Sequence, residues 1–144
     1  MKAYNGFSAQ HRQRALKWFR EEQKQGRRAY PTRCDACGQD QGLIDSHSED
    51  YSAPFGDHIG RFSLCFTCHM MIHCRHRAPL AFEVYRESIE RGARYAPFKI
   101  RDFPTFSRQF LKKKPIAVLW GEPREDLLGR MASGEFVKSN EVNK

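Results

Sequence analysis

Two Cys-x-x-Cys pairs constrain the fold of this chain more than any other feature of its sequence. Cys34 and Cys37 form the first pair, and Cys65 and Cys68 form the second. Four thiolates held by two local turns make the closed tetrahedral site that is typical of structural zinc. A redox-active dithiol is the main alternative for such pairs. We expect zinc here, and we expect its binding to contribute directly to folding.

Two histidines follow the second cysteine pair, in the run Cys65-Phe-Thr-Cys68-His69-Met-Met-Ile-His73. A helix is expected over residues 65–76, and side chains four residues apart on a helix share one face. His69 and His73 can therefore hold a second metal ion. The alternative is that His69 only caps the cysteine turn and that His73 is a half-buried surface residue.

The cysteine content and the hydropathy of the chain suggest its cellular setting. No apolar run reaches the ~20 residues of a membrane span, and the first residues lack the apolar stretch of a signal peptide. We therefore expect a cytoplasmic protein without a membrane partner, whose paired cysteines bind metal rather than form disulfides. The fifth cysteine, Cys74, is expected to be a packed or peripheral thiol.

The positive charge of the chain, +8 in total, is concentrated in two segments. Residues 1–33 contain nine Lys and Arg against two acidic residues, and residues 98–114 contain six against one. Residues 34–78 have the opposite balance, with six Asp and Glu against three Arg. Basic segments on both sides of a metal-rich centre favour binding of a polyanion, although solvated helix faces carry similar charge.

Turn residues and apolar periodicity predict an α+β fold built from four segments. These segments are a basic N-terminal helix (1–33), a cysteine-rich core (34–77), a helical C-terminal extension with one short strand (78–134), and a flexible tail (135–144).

Local signals place the individual elements. The first helix is expected to begin after the N-cap Ser8 and to end at Gly26. Pro79 is expected at the start of a further helix, and Asp102 at the start of another. Short strands are expected from residue 43, over 61–64 and over 115–120, and a short helix around 127–131.

The core segment resembles a known family in two runs of residues. One run is Asp45-Ser-His47-Ser-Glu49-Asp50-Tyr51-Ser-Ala-Pro54-Phe55, and the other is Leu64 to His73. Together with the first cysteine pair they resemble the zinc-knuckle HNH, or ββα-metal, nucleases over roughly residues 34–76. The resemblance implies a small ββα-metal core stapled by a four-cysteine zinc site, with flanking helices. It also implies that one divalent cation contacts the scissile phosphate while a neighbouring histidine activates water.

The resemblance implies that His47, His69 and His73 are the ligands of the catalytic metal. In this alignment Ser48 occupies the position of a second imidazole, and the asparagine that names the motif is absent from the segment. A second alignment makes His47 the general base and Asp45 the metal ligand. Glu49 can complete either arrangement. Asp50 and His58 are also close enough in sequence to substitute for a missing group.

The leading functional hypothesis is a metal-dependent endonuclease or nickase acting on DNA. Double-stranded DNA is the expected substrate. Its cofactors are structural Zn²⁺ and a second divalent cation, which is Mg²⁺, Mn²⁺, Ni²⁺ or Zn²⁺. The alternative is a non-catalytic zinc module that binds nucleic acid or a nucleic-acid-processing protein. A homodimer is left open. The basic residues expected to contact nucleic acid are Arg75, Arg77, Arg12, Lys17, Arg108 and Lys112.

Overall fold

Two short antiparallel strands and the helix that follows them lie at the centre of an α+β fold. The computed structural model describes residues 1–112 and 116–137. Strand β1 (Ile44–His47) pairs with β2 (Phe62–Cys65), and helix α2 (Phe66–His73) continues directly from β2. Because side chains alternate along a strand, Asp45 and His47 share one face of β1. The strands are placed where the sequence predicts them, and α2 ends earlier than expected, at His73.

Helix α1 (Ala9–Lys24) packs through a narrow apolar face on the connection between β1 and β2. The Ser8 side chain accepts a hydrogen bond from the His11 backbone N–H and caps the helix, as the sequence predicts. Ala15 and Phe19 are buried in a second hydrophobic cluster. Arg12 lies on the same helix and is also buried, only 8% exposed.

The described part of the C-terminal extension contains three α-helices, one π-helical turn and a second pair of strands. Helix α3 (Pro79–Glu90) begins with its proline in the first turn, where no intrahelical N–H bond is lost. Strand β3 (Ala93–Tyr95) pairs antiparallel with β4 (Val118–Trp120). Helix α4 (Phe103–Phe106) runs into a π-helical turn, and α5 (Leu127–Ala132) ends the described elements. The sequence predicts a single strand in this segment, and β3 is an additional strand that is too short to show an alternating pattern.

The main hydrophobic core joins the cysteine-rich centre to the extension. It contains all four paired cysteines together with side chains from α2, α3 and α5, such as Met71, Phe82 and Leu128. The predicted flexible tail falls mostly on residues 138–144, which lie outside the described residues, as do residues 113–115 of the basic segment. At the beginning of the predicted tail, Phe136 packs against Phe62 with ring centroids 4.8 Å apart, so this part of the chain is still packed on the fold.

Within the described parts of the chain, no helix has the length and apolar character needed to cross a bilayer.

Candidate metal centres

The four paired cysteines meet in one buried cluster that can hold a metal ion. The first pair lies in a turn before β1, and the second pair lies at the junction of β2 and α2. Their sulfur atoms all lie within 4.8 Å of one another. Two ligands ~2.3 Å from one tetrahedral zinc are about 3.8 Å apart. The Cys37 and Cys65 sulfurs are 3.7 Å apart, so the cluster has the size that structural zinc requires.

The electrostatics of this cluster also call for a cation. The hydrogen bond to the Cys34 sulfur raises the pKa of Cys65, and burial raises the pKa of Cys68. The hydrogen bond from Cys37, followed by those from Cys65 and Cys68, lowers the pKa of Cys34, so the cluster favours one thiolate and opposes further ones. Four sulfurs this close therefore carry four negative charges only when a cation lies among them. The Tyr85 hydroxyl lies 3.1 Å from the Cys68 sulfur, where it can donate a hydrogen bond to the thiolate.

Three histidines form a second cluster next to the first. His47 comes from the end of β1, and His69 and His73 come from successive turns of α2. One ligand atom from each ring lies within 4.8 Å of the other two. The Nε2 atoms of His69 and His73 are 3.2 Å apart, close to the about 3.3 Å expected for two nitrogens on one tetrahedral zinc.

A carboxylate fixes the ring of His69. Asp45 lies 3.0 Å from the Nδ1 atom of His69, which leaves Nε2 turned toward His73. Arg101 binds the same carboxylate through both terminal nitrogens, at 3.0 and 2.6 Å. Burial alone would raise the pKa of Asp45, but the hydrogen bonds from His69 and Arg101 hold it below its ordinary value. Asp45 is therefore an ionised hydrogen-bond partner of a histidine, and it is outside the ligand cluster.

A second carboxylate fixes the ring of His47. Glu49 lies 2.6 Å from the Nε2 atom of His47. The other nitrogen, Nδ1, is buried and has no hydrogen-bond partner among the described residues. A buried nitrogen left in this state is expected where the ring's lone pair binds a metal ion. The three rings thus offer Nδ1 of His47 and Nε2 of His69 and His73.

Burial keeps two of these imidazoles neutral. It lowers the pKa of His47 to about 4, against the opposing effect of the hydrogen bond to Glu49. Burial also lowers the pKa of His73, and the neighbouring His47 and His69 lower it further. Neutral imidazole is the form that binds metal, so protons compete weakly for this site at neutral pH.

Glu49 is the centre of a buried hydrogen-bond network. Besides His47, its carboxylate accepts hydrogen bonds from the Tyr4 hydroxyl, from Asn5 Nδ2 at 3.2 Å and from Arg75 at 3.4 Å. Burial would raise the pKa of Glu49, but the hydrogen bond to His47, the charges of His47 and Arg75 and the hydrogen bond from Tyr4 together hold that pKa below its ordinary value. With all of its neighbours donating, this carboxylate has no free lone pair directed at a substrate.

The other residues singled out beside His47 are also engaged elsewhere. The Ser48 hydroxyl accepts a hydrogen bond from the backbone N–H of Gly60 at 2.6 Å. Asp50 accepts from the Ser52 backbone N–H, which is the turn-stabilising role that the sequence suggests. His58 lies 2.7 Å from the Ser52 carbonyl oxygen and does not join the cluster. Cys74 is buried outside the four-cysteine cluster, with Arg77 3.0 Å from its sulfur.

The predicted nucleic-acid contacts divide into buried and exposed residues. The prediction that Arg12 and Arg75 contact nucleic acid fails in this structure, because both are buried. Arg75 is turned inward to Ile72, Tyr4, Asn5 and Glu49, and Arg12 donates to Tyr51 at 3.3 Å. The four exposed members of the set are Lys17, Arg77, Arg108 and Lys112.

Three residues of the site escaped the sequence analysis: Tyr4, Asn5 and Arg101. They lie more than 40 residues from their partners in the chain, so no local spacing connects them to the histidines. Asn5-Gly6 is a recognisable signal for a tight hairpin turn, but it does not reveal what that turn contacts. No asparagine other than Asn5 lies in the described residues, and the structure brings it to Glu49.

Comparison of the chain with models of protein families, with curated proteins and with solved structures gives no match.

Proposed function

We propose that the protein is a metal-dependent endonuclease or nickase with a ββα-metal core, in which zinc in the four-cysteine cluster is structural. The observation that carries the proposal is the convergence of three imidazoles, with two of the rings oriented by carboxylates, one buried (Glu49) and one partly buried (Asp45). Three protein nitrogens leave coordination positions free for other ligands, which is the arrangement of catalytic rather than structural metal sites.

His47, His69 and His73 would hold the second cation, and Asp45 and Glu49 would orient two of these ligands. When bound, a divalent cation supplies a Lewis acid that stabilises charge developing on a phosphate. Imidazole nitrogens favour Ni²⁺ or Zn²⁺ over Mg²⁺ and Mn²⁺, which prefer oxygen ligands.

The substrate proposed is DNA, and exposed positive charge supports it. The side chain of Arg101 is 51% exposed and lies beside the pair Asp45–His69. Arg77 is exposed shortly after the end of α2, and Lys17, Arg108 and Lys112 add exposed positive charge. Phosphates are attracted to such groups in a salt-dependent manner.

A specific observation favours a second function, that of a non-catalytic module that binds nucleic acid. The groups that could replace the missing second imidazole are engaged: Ser48 with Gly60, Glu49 with four donors, and Asp45 with His69 and Arg101. A site that holds a metal without a free general base would bind phosphate without efficient hydrolysis.

Plasmid nicking separates the two functions. Supercoiled DNA is incubated with the zinc-loaded protein and Mg²⁺, Mn²⁺, Ni²⁺ or additional Zn²⁺, and nicked product is quantified. The endonuclease hypothesis predicts nicking with at least one metal, lost about 100-fold or more in His73→Ala. The matched control is His76→Ala, because His76 is exposed, lies three residues away and is outside the cluster. Salt-sensitive DNA binding without nicking under every metal would support the module and reject the nuclease.

A further inference from the structure

Residues 4–7 form a tight hairpin whose geometry suits its sequence. The Tyr4 and Phe7 backbones exchange two hydrogen bonds, each of 2.9 Å. The two residues between them have positive φ angles, 51° at Asn5 and 83° at Gly6. Turns of this kind favour Asn-Gly because both central residues adopt left-handed conformations. The buried side chain of Phe7 anchors the hairpin next to Tyr51 in the second hydrophobic cluster.

This hairpin directs two side chains into the network behind the histidine cluster. The Asn5 amide donates to the Glu49 backbone oxygen at 2.9 Å as well as to its carboxylate. The Tyr4 hydroxyl donates to the same carboxylate. The Tyr4 ring packs against His73 with centroids 4.7 Å apart and lies edge-on to His47 at 5.8 Å. Tyr4 therefore contacts two of the three histidines and the carboxylate that orients one of them.

Arg75 also contacts the hairpin. One of its terminal nitrogens donates to the Asn5 side-chain oxygen at 2.8 Å, and its guanidinium lies 5.1 Å from the centre of the Tyr4 ring. Because Arg75 also contacts Glu49, the hairpin, the arginine and the carboxylate hold one another in place.

We infer that Tyr4 and Asn5 are positioning residues of the histidine site. They hold the Glu49 carboxylate against Nε2 of His47, so that Nδ1 of His47 faces the other two imidazoles. Without them, each carboxylate oxygen of Glu49 keeps one partner in this network, Arg75 on one oxygen and His47 on the other, instead of two. This inference rests on the proposed second metal site, and it assigns a role to a segment outside the motif that suggested that site.

Two substitutions test the inference with little change to the fold. Tyr4→Phe removes the hydroxyl and keeps the ring. Asn5→Gly removes the amide and keeps the positive φ angle, which glycine adopts without strain. Tyr30→Phe is the matched control, because Tyr30 is 66% exposed.

The first readout is the affinity of the untagged, zinc-loaded protein for Ni²⁺, measured by calorimetry. Both variants are expected to bind Ni²⁺ about 10-fold more weakly, as is usual when a partner behind a metal ligand is lost, and Tyr30→Phe is expected to match the wild type. The second readout is the ¹⁵N spectrum of the His47 imidazole before Ni²⁺ is added. We expect the tautomer protonated on Nε2 in the wild type and mixed tautomers in both variants.

Three outcomes overturn the inference, and they separate it from the proposed function. If the wild type binds Ni²⁺ and both variants bind it equally well, the hairpin has no positioning role and the metal site stands. If the variants lose only thermal stability while the His47 spectrum and the affinity are unchanged, the hairpin is merely structural. If the wild-type histidines bind no second metal, both the inference and the proposed function are wrong.

Discussion

Replacing Glu49 with glutamine tests whether this carboxylate holds the buried network together. The substitution changes neither size nor shape, but it replaces one acceptor oxygen with an NH₂ donor. Every neighbour of the carboxylate is a donor: the Tyr4 hydroxyl, His47 Nε2, Asn5 Nδ2 and Arg75. In either orientation the glutamine NH₂ therefore faces donors. The two hydrogen bonds that the replaced carboxylate oxygen accepted are lost.

The structure sets the magnitude of the effect. The Glu49 and Arg75 side chains are 1% and 5% exposed, so their ion pair is shielded from solvent. Removing one partner of a buried pair costs about 3–5 kcal/mol, because the remaining charge stays buried. Arg75 keeps its hydrogen bond to the Asn5 side chain, which favours the lower end of that range. We expect Glu49→Gln to lower the free energy of unfolding by about 3 kcal/mol, or the Tm by roughly 10 °C for a domain of this size.

The assay is urea and thermal unfolding of the zinc-loaded protein, followed by circular dichroism. Glu83→Gln is the control, because Glu83 is paired with Arg86 at the surface and its side chain is 52% exposed. The control is expected to change the free energy of unfolding by less than about 1 kcal/mol. If Glu49→Gln costs no more than the control, the network described here does not constrain Glu49, and its role in orienting His47 is refuted.

Three further predictions concern other parts of the account. Ser8→Ala is expected to lower the free energy of unfolding by about 1 kcal/mol because the N-cap of α1 is lost, which denaturation curves will measure. Cys68→Ser is expected to abolish stoichiometric zinc binding and cooperative unfolding, and elemental analysis with calorimetry checks both; retained zinc would contradict the four-cysteine site. Tyr85→Phe is expected to weaken zinc binding about 10-fold in a chelator competition, since the hydroxyl partner of the Cys68 sulfur is removed, and unchanged affinity would mean that this contact is incidental.

Local sequence signals predicted the centre of the fold well. The cysteine spacing and the short apolar runs beside it predicted the strand, strand and helix that bring four sulfurs together. The caps at Ser8 and Asp102 and the start at Pro79 were also placed correctly, because these depend on a few neighbouring residues. Strand β3 was missed because three residues carry too little pattern.

For the histidine cluster, the sequence predicted only the three histidines themselves. Spacing places His69 and His73 on one helix face, but it does not reveal that Asp45 and Glu49 lie behind the rings. Those roles depend on pairings between distant segments, such as Glu49 with the hairpin at residues 4–7. Charge counting likewise cannot separate a solvated arginine from one that is buried in a network, and it therefore misplaced Arg12 and Arg75.

The most direct test of the account is anomalous diffraction from crystals of the full chain grown with zinc and soaked in Ni²⁺. Data collected at both absorption edges distinguish the two metals. The account predicts a zinc peak among the four cysteine sulfurs and a nickel peak bound by Nδ1 of His47 and Nε2 of His69 and His73. Nickel absent from the histidines, or three imidazoles turned away from a common point, would contradict the claim that this chain builds two metal centres.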